Sequence, residues 1–177
     1  MQPENQKLLI DSAAGLGVPL GPDAIGLLDR YLQLLNKWNK AVNLTAEREE
    51  KKQVVRLLVD SLAAATMVPA SGKILDWGSG AGLPGYPVKF VRPGIIITLA
   101  ESRRKKADFL KAVARELAMD GVRVHGGRGE EMAADPAARF DVVLVRAVAE
   151  LVELVPAIAP LLAAGGRIVA MKGPAPE

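Results

Sequence analysis

The stretch Ile74-Leu75-Asp76-Trp77-Gly78-Ser79-Gly80-Ala81-Gly82-Leu83-Pro84-Gly85 decides the fold. An apolar run over residues 73–77 leads into three glycines at alternate positions, and a helical pattern over about 83–91 follows. Glycine permits a tight turn and a close backbone approach, so strand, glycine loop and helix together predict a nucleotide-like cofactor at the carboxyl edge of a sheet. Two cofactor classes compete, because Gly80, Gly82 and Gly85 also satisfy the G-x-G-x-x-G spacing of NAD-binding proteins. Asp76 favours the other class. A carboxylate just before the glycines repels a pyrophosphate, whereas it attracts the amino and sulfonium groups of S-adenosylmethionine.

Working outward, apolar β-branched runs recur at residues 95–100, 122–125, 140–145 and 167–171. Helical patterns separate them: one with Ala107, Leu110, Val113, Ala114 and Leu117 on one face, and another over about 148–162. Such alternation predicts an α/β fold with a parallel sheet covered on both faces. Glu101 ends the second run, 21 residues after Gly80, where an acidic side chain accepts hydrogen bonds from ribose hydroxyls of either cofactor. The turn Gly126-Gly127-Arg128-Gly129-Glu130-Glu131 follows the third run and falls on the same edge, near where an adenine would sit, although by itself it reads more readily as a plain connector. Arg146 ends the fourth and points to that crevice, the alternative being a surface ion pair with Glu150.

Upstream of Ser71-Gly72 the pattern is helical. Ile25, Leu28, Leu32 and Leu35 step by three and four, widened by Tyr31, Leu34 and Trp38, with Pro22 in a first turn. Shorter helices are expected at 4–14 and at about 49–67, where Val54, Val55, Leu58 and Leu62 recur. Residues 1–70 thus read as a helical cap on a sheet domain over 71–177, the two forming one compact unit.

Composition narrows the chemistry. The 177 residues are 50% hydrophobic and 24% charged, ordinary for a folded domain. With 3 Phe, 2 Tyr and 2 Trp, the core is expected to rest on Ala, Val, Leu and Ile. The absence of cysteine excludes disulfides, thiolate metal sites and cysteine nucleophiles, and the single histidine, His125, excludes a multi-histidine metal site. No metal is expected. The net charge is only +3, yet residues 71–130 carry 11 basic against 6 acidic side chains, a local excess suited to a phosphate-bearing partner. The N-terminus lacks the pattern of a signal peptide and no apolar run reaches about 18 residues, so a cytoplasmic protein without a membrane span is expected.

Several ordered blocks resemble the glucose-inhibited division protein B family, small-subunit ribosomal RNA guanine-N7 methyltransferases. They are residues 38–45 (Trp-Asn-Lys-Ala-Val-Asn-Leu-Thr), Asp60-Ser61-Leu62, the loop 78–85 with its Leu-Pro-Gly-Tyr-Pro continuation, and Glu101-Ser102 with Lys105-Lys106 and Phe109-Leu110. Arg128-Gly129-Glu130-Glu131, Arg146-Ala147 and Lys172-Gly173 complete the set, which runs from about Leu27 to Gly173. The glycine loop alone resembles any class I methyltransferase; the Trp–Asn–Leu–Thr block is far more specific. The resemblance implies a Rossmann-like, S-adenosylmethionine-dependent enzyme with an N-terminal helical cap, methylating guanine N7 in a loop of 16S rRNA, alone or in the small ribosomal subunit.

On that resemblance Asp76, Gly78, Ser79, Gly80, Gly82, Leu83, Glu101 and Ser102 hold the cofactor, Gly129 and Glu130 its adenine side, and Arg146 closes the pocket near the methyl. Asn43, Thr45 and Asp60 face the substrate side, although by themselves Asn43 and Thr45 read equally as turn and capping residues. Two departures stand out: Leu57 replaces the family's usual histidine, and the chain ends just after Lys172-Gly173, before the segment that supplies the family's last two strands. The sheet is therefore expected to be incomplete at one edge.

The chemistry fits these residues. Guanine N7 carries a free lone pair, so attack on a sulfonium methyl needs alignment and exclusion of water rather than a general base. Arg146 then orients the base through O6. Arg103, Arg104, Lys105 and Lys106 open a helix, where cations are electrostatically unfavourable, so RNA phosphates are their expected partners, with Lys172 joining them. The alternative is a solvated helix face. His125 is expected to be structural and Trp38 a core anchor. Two rival functions remain open at this level: an NAD-dependent oxidoreductase, and an RNA-binding or ribosome-assembly protein that kept the fold without catalysis. A monomer is expected.

Overall fold

The computed structural model describes residues 1–146 and 151–171. Helices α1 (Pro3–Gly15) and α2 (Pro22–Trp38) come first, each with proline in its first turn, where the missing N–H costs nothing. The helix expected over 49–67 is a composite: α3 (Glu50–Gln53), a π-helical turn over Val54–Val59, and α4 (Asp60–Ala65). The 3.6-residue spacing of its apolar positions does not distinguish α from π winding, so the wide turn was invisible to periodicity.

From Gly72 onward strands and helices alternate: β1 (Gly72–Trp77), α5 (Gly85–Val91), β2 (Ile95–Ala100), α6 (Arg104–Glu116), β3 (Val122–His125), a 3-10 turn over Gly129–Ala134, then β4 (Phe140–Arg146). After α7 (Leu151–Ile158) and a short 3-10 turn comes β5 (Leu162–Met171), five residues longer than expected at its start. All neighbouring strands pair in parallel in the order β3-β2-β1-β4-β5. The order reverses between β1 and β4, and open α/β sheets take ligands at such a switch point.

Side chains alternate across the sheet, so β1 feeds two cores. Ile74 joins Ile97, Leu99, Val142 and Leu144 under α5, α6 and the N-terminal helices, a single continuous cluster. Leu75 and Trp77 face the other way, with Phe140, Val143, Ile158 and Leu161. Aromatic side chains are few but concentrated: Tyr31, Tyr86, Phe90, Phe109 and Trp38 form one chain of contacts with ring centroids 5.7–6.4 Å apart. Trp38, expected as a core anchor, is half-buried and packs on Phe109 at the margin of this core. Among the described residues no helix is long and apolar enough to cross a membrane, and no three metal-ligating side chains gather.

Candidate cofactor and substrate cleft

β1, β2, β3 and β4 all end on one edge, which places Trp77, Glu101, His125 and Arg146 side by side. Between them lies a cleft of about 240 Å3 lined by Trp77, Gly78, Ala100, Glu101, Ser102 and the turn 127–130. Gly78, Gly80 and Gly82 of the loop after β1 all have positive φ. At Gly82 a side chain is excluded twice over: φ is +82° and a Cβ would lie 2.3 Å from the Tyr86 ring.

Two carboxylates hold this loop. Glu101 Oε2 accepts the Gly80 N–H at 2.9 Å, while its Oε1 accepts the Arg103 N–H at 2.7 Å. Each oxygen keeps a second lone pair, so a ribose hydroxyl still finds an acceptor here. Asp76 departs from expectation. At the strand end it is 1% exposed, and its Oδ2 accepts the Gly85 N–H at 3.0 Å at the start of α5. The reason is parity: residue 76 shares the face of Ile74, which α5 covers. Burial raises its carboxyl to about 7, against the opposing pull of the Gly85 N–H and the Arg146 charge. Oδ1 is the one buried side-chain polar atom without a partner among the described residues.

Ser79 and Leu83 are also structural at this edge. The Ser79 hydroxyl donates to the Asp76 carbonyl at 2.8 Å, its N–H donates to the Ala100 carbonyl at 2.9 Å, and Leu83 is buried in the core. Gly129 is pressed on Trp77, whose ring would stand 2.4 Å from a Cβ there, so only glycine lets the turn close over the indole. Trp77 was not among the expected site residues. Its position, last in a strand before the first glycine, was the available signal.

The helical cap carries the residues expected to face a substrate. Asn39, buried, accepts the Leu44 N–H at 2.8 Å and the Thr45 N–H at 3.2 Å on Oδ1 and donates to the Thr45 carbonyl at 2.9 Å. Gln53, fully buried, donates to the Asn36 Oδ1 and to the Glu47 carbonyl. This network fixes the loop carrying Asn43 and Thr45. Asn43 and Asp60 are exposed; Thr45 Oγ1 accepts the Glu47 N–H at 3.1 Å. Glu47 pairs with Arg56 at 2.9 Å, and the Arg56 carbonyl, in the π turn, accepts from Arg146 at 2.7 Å. Thr45 and Arg146 thus belong to one chain of contacts between the cap and the end of β4, while Asn43 and Asp60 have no part in it. Arg146 turns toward the cap; Glu150 and Lys172 lie outside the described residues. A second tie joins cap and loop: Tyr31, buried in α2, donates to the Ala81 carbonyl at 2.8 Å.

Arg103, Arg104 and Lys105 are exposed at the start of α6 and Lys106 is half-buried. Among the described residues none of the four forms an ion pair.

Residues 24–177 match the family GidB, described as rRNA small subunit methyltransferase G. The chain belongs to that family. The ribosomal RNA small subunit methyltransferase G of Neisseria gonorrhoeae (strain NCCP11945) is 42% identical over 174 residues, 98% of this chain and 83% of that protein. The protein of the same name from Caldanaerobacter subterraneus subsp. tengcongensis is 36% identical, over 98% of this chain and 74% of its own length. Two solved structures share the fold: precorrin-6y C5,15-methyltransferase from Geobacter metallireducens GS-15 (TM-score 0.54, 16% identity, 71% of this chain and 65% of that one) and ribosomal protein L11 methylase from Lactobacillus delbrueckii subsp. bulgaricus (TM-score 0.53, 16% identity, 65% and 58%). The GidB assignment replaces the electrostatic argument from Asp76, which burial has removed, and it does not favour the nicotinamide or the non-catalytic reading. In this GidB chain Leu57, the departure noted in the sequence, is 6% exposed inside the core, so its side chain packs rather than reaching into the cleft.

Proposed function

We propose that this GidB-family chain methylates N7 of a guanine in 16S rRNA, with S-adenosylmethionine as donor. The cleft at the carboxyl ends of β1 and β2, walled by the turn after β3, carries the reading: left-handed Gly78, Glu101 and the Gly129–Trp77 contact sit around one opening, and the buried Asp76 Oδ1 lacks a partner. These features fit the cofactor's parts. The backbone at Gly78 and Gly80 accommodates its amino-acid end, Glu101 accepts from the ribose, and Trp77 with Gly129 and Glu130 bounds the adenine.

When bound, the cofactor supplies an electrophilic methyl on sulfur. The protein's contribution is alignment. A guanine N7 lone pair needs no base, which agrees with Glu101 in the cleft and the buried Asp76 both being engaged by backbone amides. Arg146, held at the Arg56 carbonyl, keeps further N–H groups with which to orient guanine O6 while leaving N7 free to attack. Cap and sheet exclude water from the line of attack, and the cations 103–106 receive the phosphates.

The test pairs calorimetric titration of S-adenosylhomocysteine, with NAD in a parallel cell, and methyl transfer to unmodified 16S rRNA, free and in the small subunit. Saturable binding of S-adenosylhomocysteine without NAD heat, together with label at a guanine N7, is the expected result. Binding of NAD alone, or rRNA binding without transfer, would overturn it.

A further inference from the structure

β3 ends on the only histidine of the chain, and the turn leaving it forms one wall of the cleft. His125 Nε2 lies 3.1 Å from the Arg128 carbonyl oxygen. A carbonyl only accepts, so the contact requires a proton on Nε2 and selects one neutral tautomer or the imidazolium. Glu131 Oε2 stands 3.7 Å from the same nitrogen. The turn passes tightly between these groups: a Cβ on Gly127 would lie 2.4 Å from Glu131 Oε2 and 2.9 Å from His125 Nε2. Two residues on, Gly129 rests on Trp77. The turn is therefore clamped on one side by His125 and seated on the other against the indole, with the clamped Arg128 between two cleft-lining glycines.

His125 itself faces the neighbouring groove with Arg123 and Asp135 and is absent from the cleft lining. We infer that His125 is a positioning residue for the cofactor, a latch that acts through the Arg128 carbonyl to hold the turn 126–131 in its cleft-lining form. This rests on the reading of the cleft as an S-adenosylmethionine site. Loss of the latch lets the turn sample forms in which Gly129 and Glu130 no longer bound the adenine, and affinity falls by the fraction of time spent in them. The chemical step, remote from this wall, is unaffected.

The experiment measures S-adenosylhomocysteine affinity at one neutral pH for the wild type, His125→Leu and His125→Gln, with melting temperatures alongside. Leucine is expected to weaken binding about fivefold, the worth of one hydrogen bond, and to raise the cofactor KM at unchanged kcat without lowering the melting temperature. Glutamine, whose terminal N–H reaches to the same distance, is expected to restore most of the affinity. The sole imidazole gives unambiguous nitrogen resonances, which should report a protonated Nε2. Wild-type affinity in His125→Leu, failure of glutamine to rescue, or an unprotonated Nε2 overturns the latch alone. A wild type that binds no S-adenosylhomocysteine takes down the cofactor reading and the latch with it.

Discussion

At Asp76 a single carboxylate carries the opposing demands of burial and charge. Its side chain is enclosed beneath α5 and tied to the Gly85 N–H, and burial lifts its carboxyl from 3.8 to about 7. In the unfolded chain the ordinary value returns, so between about pH 4 and 7 the native state holds a proton that the unfolded state has lost. Stability therefore falls as pH rises through that window and levels off above it, by up to ~4 kcal/mol for a shift of this size. Urea denaturation across the window should show this slope, and Asp76→Asn should flatten it. Equal slopes in both proteins would show that the buried carboxyl does not titrate there.

At the scale of elements, the glycine loop is held from three directions. Glu101 grips Gly80 from β2, Asp76 grips Gly85 from β1, and Tyr31 reaches the Ala81 carbonyl from α2. The last contact makes a cap helix part of the glycine loop's support. Tyr31→Phe keeps the ring packing against Tyr86, Phe90 and Phe109 but leaves a buried carbonyl unpaired. It should cost about 1–3 kcal/mol in denaturant unfolding and weaken S-adenosylhomocysteine severalfold by calorimetry. A loss of stability with cofactor affinity intact would confine Tyr31 to the core. The π turn belongs here as well, since it carries both Leu57 into the core and the carbonyl that Arg146 holds.

Over the whole molecule, cap and sheet share one apolar cluster, and polar ties such as Arg92 to the Ala65 carbonyl and Arg30 to the Glu116 carbonyl sew their rims. The cleft lies at the carboxyl ends of β1 and β2, and the exposed cations 103–105 follow directly on its wall residue Ser102. If those cations receive phosphates, their loss changes salt dependence more than it changes the cleft. Replacing Arg104 and Lys105 together by Gln should make the slope of log affinity for 16S rRNA against log salt shallower by roughly 0.7 per cation removed. An unaltered slope would return these residues to a solvated helix face.

Strand and helix alternation, the glycine loop, the edge acids and the cap were all legible in the sequence, because each follows from a short-range rule: period two, period 3.6, or the conformational range of glycine. The ordered blocks around residues 38–45 and 78–85 likewise placed the chain in its family. What each polar side chain does was decided only by the tertiary fold. Asp76 reads as a ligand carboxylate until α5 is laid over its face of β1; the buried amides Asn39 and Gln53 carry no local signal of their roles, which appear only when segments of the cap converge on them. Trp77 becomes a cleft wall only when Gly129, 52 residues away, folds against it. Local periodicity dictates the elements, but a polar group's role depends on which distant backbone supplies its partner, and that is fixed by packing.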